Sequence, residues 1–126
     1  MKIDIKWKIN FHWKDMVKIS EGFLRGLEKP VILWLLSRKP MHGYEIMTEF
    51  RRLTGRMLKP SVVYPFLRRL ETEGFVSSQW IITGKRKIRN YRLTGKGENL
   101  VKRMREIFTQ PIREFFLYLI DKKNEE

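Results

Sequence analysis

From Lys2 to Lys14 the chain alternates without a break. Ile3, Ile5, Trp7, Ile9, Phe11 and Trp13 stand at the odd positions, with a polar residue at every even one. A period of two predicts a β-strand with one buried face. A lone strand is not stable, so this one needs a partner, either another segment or a second copy of the chain. Two Trp among Lys residues also suit a membrane surface, the rival to a structural strand. After this stretch the apolar spacing lengthens. Leu27-Glu28-Lys29-Pro30 leads into Val31, Ile32, Trp34, Leu35 and Leu36, which predicts a short buried helix to about Arg38. Pro30 would sit in its first turn, where a missing N–H loses no partner, and Lys39-Pro40 would stop it.

A second helix is expected from about His42-Gly43, with Ile46, Phe50 and Leu53 on one face, Tyr44 and Met47 alongside, and Gly55 as its stop. A third follows Pro60-Ser61, with Ser61 a candidate cap. Val63, Leu67 and Leu70 share its face with Phe66 beside them, and Gly74 ends it. Phe75 to Ile82 and Ile88 to Thr94 then read as two strands around Thr83-Gly84-Lys85-Arg86-Lys87, a hairpin with a basic tip. Thr94 can cap a last helix carrying Leu100, Met104, Ile107, Phe108, Ile112, Phe115, Phe116 and Leu119, which Pro111 should kink or split.

Charge sharpens the picture. Lys and Arg number 27 against 14 Asp and Glu, a formal net charge of +13. The excess is uneven, since residues 59–92 carry 8 basic against 2 acidic side chains while residues 93–126 carry 7 against 6. Lys85, Arg86, Lys87, Arg89 and Arg92 have no acid near them from Gln79 through Gly97. Such a field is costly unless something anionic meets it. Catalysis finds little to work with. Cys is absent, His number 2, the Asp are Asp4, Asp15 and Asp121, and no nucleophile–base pair or Gly-rich phosphate loop is present. No cofactor and no metal are expected. The longest apolar runs, residues 31–36 and 115–120, fall far short of the roughly 20 needed to span a bilayer. No membrane partner is expected, and a cysteine-free chain suits a reducing cytoplasm.

Three short helices followed by a two-stranded ribbon make a winged helix-turn-helix, in which an α-helix enters the major groove of DNA while its predecessor braces it. The outward face of the third helix holds Ser61, Val62, Tyr64, Arg68 and Arg69. Val62 can touch a thymine methyl group, Ser61 and Tyr64 can reach phosphates, and the wing can lie along the backbone or in a minor groove. Duller readings stand beside these. Tyr64 can pack on the second helix, Arg68 and Arg69 can pair with Glu71 or Glu73, and His42 reads as a structural cap. Trp34 and Trp80 read as core, and His12 has no assigned role. The tip from Lys85 to Arg89 has the weakest structural excuse.

Met41-His42-Gly43-Tyr44-Glu45-Ile46, the run from Tyr64-Pro65-Phe66 to Glu73-Gly74-Phe75, Arg86-Lys87, and Tyr91-Arg92-Leu93-Thr94-Gly95-Lys96-Gly97 together resemble the PadR family of transcriptional regulators over roughly residues 23–100. The resemblance implies a dimeric winged-helix repressor on a palindromic operator, with a C-terminal dimer helix. It places Lys59, Ser61, Val62 and Tyr64 on the recognition helix and Lys85 to Arg89 on the wing at the DNA. It also implies response to a small aromatic or lipophilic effector, for which Trp34, Met104, Phe108, Trp7 and Trp13 offer a lining, although core is the plainer role for them. Ser61-Val62-Val63 stands where the family often has Gly-Thr-Leu, which makes a Thr-mediated contact apolar here.

The C-terminal helix has more apolar positions than the edge of a small core can cover, so a second copy is expected to hide them in a twofold interface. The expected fold is therefore mostly α with a small β-hairpin (α+β). An N-terminal strand-like extension (1–20) precedes a winged helix-turn-helix (21–93) and a C-terminal dimerisation helix (94–126). The expected function is sequence-specific binding of double-stranded DNA as a homodimeric repressor. The alternative is a winged-helix module that meets protein or RNA.

Overall fold

The computed structural model describes residues 13–110 and 112–121, so residues 2–12 of the strand expected over residues 2–14 lie outside the described residues. Helix α1 runs from Trp13 to Arg38. Trp13 to Ser20 are thus helix rather than strand, and Pro30 lies in the helix interior rather than its first turn. The apolar spacing explains both corrections. Leu24, Leu27, Val31 and Leu35 recur at three- and four-residue intervals, and Ile32, Leu35 and Leu36 are buried. Pro30 removes the bond to the Gly26 carbonyl and costs about 3 kcal/mol. Burial of those three side chains, at about 1.5–3 kcal/mol each, outweighs it.

Met41–His42 form a short strand, β1, followed by α2 (Gly43–Thr54) and α3 (Pro60–Thr72). α2 begins and ends where the sequence indicates: His42 Nδ1 accepts from the Glu45 N–H at 3.1 Å, and Gly55 takes the left-handed conformation at φ 76°. Ile46 and Phe50 are buried, while Leu53 is exposed, because the stripe has passed the edge of the core by that turn. In α3, Val63, Leu67 and Leu70 are buried and Phe66 packs beside them. Ser61 does not cap it. Pro60 occupies the first helical turn, which leaves Lys59 as the cap residue, its carbonyl accepting from Val62 and Val63.

β2 (Val76–Thr83) and β3 (Arg86–Leu93) form the wing, joined by Gly84-Lys85. Thr83 faces Arg86 in the register, so the turn is two residues long and Arg86 and Lys87 belong to the strand. Gly84, at φ 63°, supplies the positive angle that a type II′ turn needs at its first central position. The sheet order is β1-β3-β2, antiparallel, with Met41 opposite Tyr91 and His42 opposite Asn90. One core joins α1, α2, α3, the sheet and Val101.

α4 (Gly95–Thr109) starts at Thr94, whose hydroxyl accepts from the Gly97 N–H at 3.2 Å and donates to the Gly74 carbonyl at 2.6 Å. The helix stops before Pro111, and α5 (Arg113–Ile120) resumes beyond it. Leu100 and Met104, expected in a dimer interface, pack on this domain's own core. The others mix cover and exposure. Phe116 sits among Phe23, Phe108 and Phe115, at ring distances of 6.2, 5.8 and 5.7 Å, and Ile112 is half-buried. Ile107, Phe115 and Leu119 are exposed, as are Ile19 and Phe23 on α1.

The junction of wing and α4 tolerates no side chain at position 97, where a Cβ would run into the Phe75 carbonyl oxygen and the Leu93 side chain. Gly97→Ala is expected to lower the free energy of unfolding by about 1–3 kcal/mol. A urea titration checks this, and an unchanged midpoint would contradict the packing described.

Candidate nucleic-acid interface

α3 is gripped from one side only. Its buried stripe faces the core, and Lys59, Ser61, Tyr64 and Arg68 face outward, with Val62 half-buried between the two sides. Tyr64 packs on the second helix, one of the two roles expected of it. Its ring lies so close to Gly43 that a Cβ there would stand 2.5 Å from it, yet the side chain keeps an exposed edge. Gly43 thus lets the start of α2 approach α3. Pro65 has no N–H, so the bond that position 65 would make to the Ser61 carbonyl is missing.

The start of α2 is electrostatically quiet. Lys39 Nζ meets Glu45 Oε2 at 2.8 Å, and that hydrogen-bonded carboxylate holds the Lys39 ammonium above its ordinary value. Glu45 also faces His42 Nε2 at 3.8 Å. Tyr44 stacks on His42, with centroids 6.4 Å apart, and remains widely exposed. Further along, Arg52 pairs with Glu49 at 2.8 Å, and Arg69 of α3 pairs with Glu73 at 3.3 Å.

The wing differs. Lys85, Arg86 and Lys87 are exposed, and no carboxylate pairs with them among the described residues. Arg89 does not share that freedom. Its Nη2 meets Glu71 Oε1 at 3.0 Å and its Nε donates to Ser78 Oγ at 2.8 Å, so this cation is already engaged by the protein's own side chains. Glu71 is 18 residues away in the chain, a pairing that only the fold creates. Arg68, expected to share such pairing, has none among the described residues.

Trp80 is the residue that sequence reasoning misplaced. It is exposed rather than core, with Lys87 Nζ 4.9 Å and Arg89 5.2 Å from its ring. Its signal was present in the alternation Val76, Ser78, Trp80, which shares one sheet face, but the core ends after Val76. Trp34 is likewise half-exposed, under Arg38 at 5.0 Å. It lines a cleft with Leu35, Arg38, Lys39, Met41, Glu49 and Arg52, away from Phe108, which meets Phe116 instead. Trp7 and the Trp13 side chain lie outside what the structure describes.

α2, α3 and the wing enclose a cleft of about 830 Å³. His42, Gly43 and Tyr44 form one wall and Tyr64 another, while Trp80, Tyr91 and residues 86–89 close the wing side. Tyr64, Arg86 and Lys87 are thereby brought together. Lys59, Ser61 and Lys85 stand outside the cleft, at the start of α3 and the wing apex. Such a surface offers an open helix edge, aromatic faces and uncompensated cations, the requirements for gripping a polyanion through its backbone and base edges. Among the described residues no group of three His, Asp or Glu gathers as metal ligands, and no helix is long and apolar enough to cross a membrane.

Comparison with known proteins bears on this surface. The model of a family described as PadR-like transcriptional regulators matches residues 32–103. The chain is similar to Bacillus subtilis PadR, solved in complex with operator DNA, at 32% identity over 60% of this chain and 45% of that one, with a TM-score of 0.56. A transcriptional regulator from Clostridium thermocellum is 26% identical over 77% of this chain and 97% of its own, with a TM-score of 0.65. A PadR-like regulator from Bacillus cereus, at 20% identity, shares the fold over 80% of this chain and 99% of its own with a TM-score of 0.68. A search of curated proteins finds no match.

Tyr91, beneath the cleft, gives a pH signature. Burial holds its phenol above the ordinary value. With the folded value raised, the associated stability is complete below about pH 10 and is lost as pH climbs through the folded value. Urea unfolding across that range should show a decline that is shallower in Tyr91→Phe. Equal slopes would contradict it.

Proposed function

The chain belongs to the PadR-like family of transcriptional regulators, and from that premise we propose that it is a repressor that grips a near-palindromic DNA duplex as a homodimer. The observation that carries this reading is the pairing of an open α3 edge with a wing whose three tip cations have no carboxylate partner among the described residues. Val62 and Tyr64 meet the major groove, Val62 against a thymine methyl group. Lys59, Ser61 and Arg68 hold phosphates beside the groove, and Lys85, Arg86 and Lys87 hold the backbone where the wing crosses it. Occupying the site excludes other proteins from it, which makes repression the simplest outcome of such a clamp.

The exposed Ile107, Phe115 and Leu119, together with Ile19 and Phe23, support the dimer. Apolar surface of this extent on neighbouring helices favours a second copy of the same face. Two recognition helices then enter successive turns of the major groove, roughly 34 Å apart. Leu100 and Met104 act behind this interface, as the core that supports it.

Selection of duplexes from a random pool tests the reading as a whole. An inverted repeat is expected, whereas RNA or no duplex at all would favour an interaction module. With about 6–10 phosphate contacts, affinity should fall roughly 10³–10⁵-fold between 50 and 200 mM salt. Replacing Lys85, Arg86 and Lys87 together by Ala should weaken binding to every duplex and flatten the salt slope by about one per lost contact. An unaltered slope would remove the wing from the interface. Phe115→Glu with Leu119→Glu should yield a folded monomer by sedimentation equilibrium, and a monomeric parent protein would refute the dimer.

A further inference from the structure

Arg89 was expected to touch DNA, and its geometry points elsewhere. We infer that Glu71, Ser78 and Arg89 form a clamp that sets the angle of the wing against α3, so that the tip cations are aimed at a phosphate backbone before any duplex arrives. The inference rests on the duplex-binding reading above and assigns Arg89 and Glu71 as positioning residues within it.

Three elements meet in the clamp: Glu71 comes from α3, Ser78 from β2 and Arg89 from β3. Both carboxylate oxygens are used, one by Arg89 Nη2 at 3.0 Å and the other by the Ser78 hydroxyl. Arg89 Nε closes the ring on Ser78 Oγ at 2.8 Å. Charge-assisted bonds of this kind, made by a planar guanidinium with two donors engaged, fix direction as well as distance.

Position in the sheet gives the clamp its leverage. Val76 and Tyr91 are the buried residues of the two strands, and from Gln79 to Lys87 every residue is exposed. The apolar core therefore stops at the base of the hairpin, and the clamp is the next attachment outward. Trp80, opposite Arg89 in the register, lies against the guanidinium and carries Lys87 on the same ring, which passes the constraint toward the tip. An angular error at the base would grow along the exposed hairpin and carry Lys85, Arg86 and Lys87 off the backbone.

Glu71→Gln separates this role from simple electrostatics, because it raises the net charge by one and would strengthen DNA binding on charge alone. The clamp requires the opposite, roughly tenfold weaker binding at fixed salt, within the range for coupled residues. In the background that already lacks Lys85, Arg86 and Lys87, the same substitution should change affinity by less than about twofold. Ser78→Ala, which alters no charge, should act in the same direction. In the free protein, both variants should speed amide exchange at residues 82–88 without affecting α2, a readout independent of DNA. Binding as tight as the parent's, an equal loss in the wing-neutral background, or unchanged exchange at the wing would overturn the clamp. A parent protein that ignores duplex DNA but shows the exchange change would instead overturn the functional reading and leave the clamp standing.

Discussion

The one-sided hold on α3 is the constraint from which the rest of the molecule follows. A helix of 13 residues that must offer one edge to solvent can be secured only through the other, and Val63, Leu67 and Leu70 provide that grip. Each contributes about 1.5–3 kcal/mol by burial. Ile32 and Leu35 of α1, Ile46 and Phe50 of α2, and Leu58 of the preceding loop belong to the same buried core. Tyr64 on Gly43 is the point at which the hold reaches the edge of the exposed face.

Around that hold, short polar contacts set where each element begins. His42 belongs both to the sheet, opposite Asn90, and to α2, as its cap. The start of the bracing helix is thereby tied to the strand that carries the wing. Thr94 does the same on the other side, joining the Gly74 turn to the first turn of α4. Lys96 adds a bond to the Glu73 carbonyl at 2.7 Å. Surface ion pairs such as Arg52–Glu49 are worth little individually. Such pairs engage Glu45, Glu49 and Glu73 away from the wing tip, where no carboxylate pairs with Lys85, Arg86 or Lys87 among the described residues.

Charge and apolar exposure therefore separate only in part on the molecule. The cations of residues 85–87 lie at the end of the hairpin, and many of the exposed apolar side chains lie on α1, α4 and α5. A duplex and a second copy of the chain would meet different surfaces without competing. Trp80, with exposed Ile81 and Ile82 beside it on the wing, departs from this division. An aromatic ring between two cations, it keeps the wing from behaving as a purely electrostatic arm.

How much was legible in the residues depended on the range of the interaction that decided each feature. Local chemistry settled the ends of α2, the break at Pro111, the Thr94 cap and the buried stripe of α3, because each rests on neighbours within a few positions. The same reading failed where packing overruled a local signal, as when Pro30 was carried inside a long helix by the burial of Ile32 and Leu35, and where one local signal overrode another, as when Pro60 entered the first turn and Ser61 lost the cap position to Lys59. Residues 85–87 were recognisable as unneutralised because no acid lies near them in the chain, whereas Arg89 acquired Glu71 from 18 positions away. Trp80 looked like core because large aromatic residues usually are, but the sheet had already left the core at that rung. The amino-acid order by itself determined the helix-turn-helix, the hairpin and its basic tip, since these depend on periodicity and turn chemistry. Only the tertiary structure decided which cations stay free and which apolar faces stay open, because both depend on what the fold brings across from elsewhere in the chain.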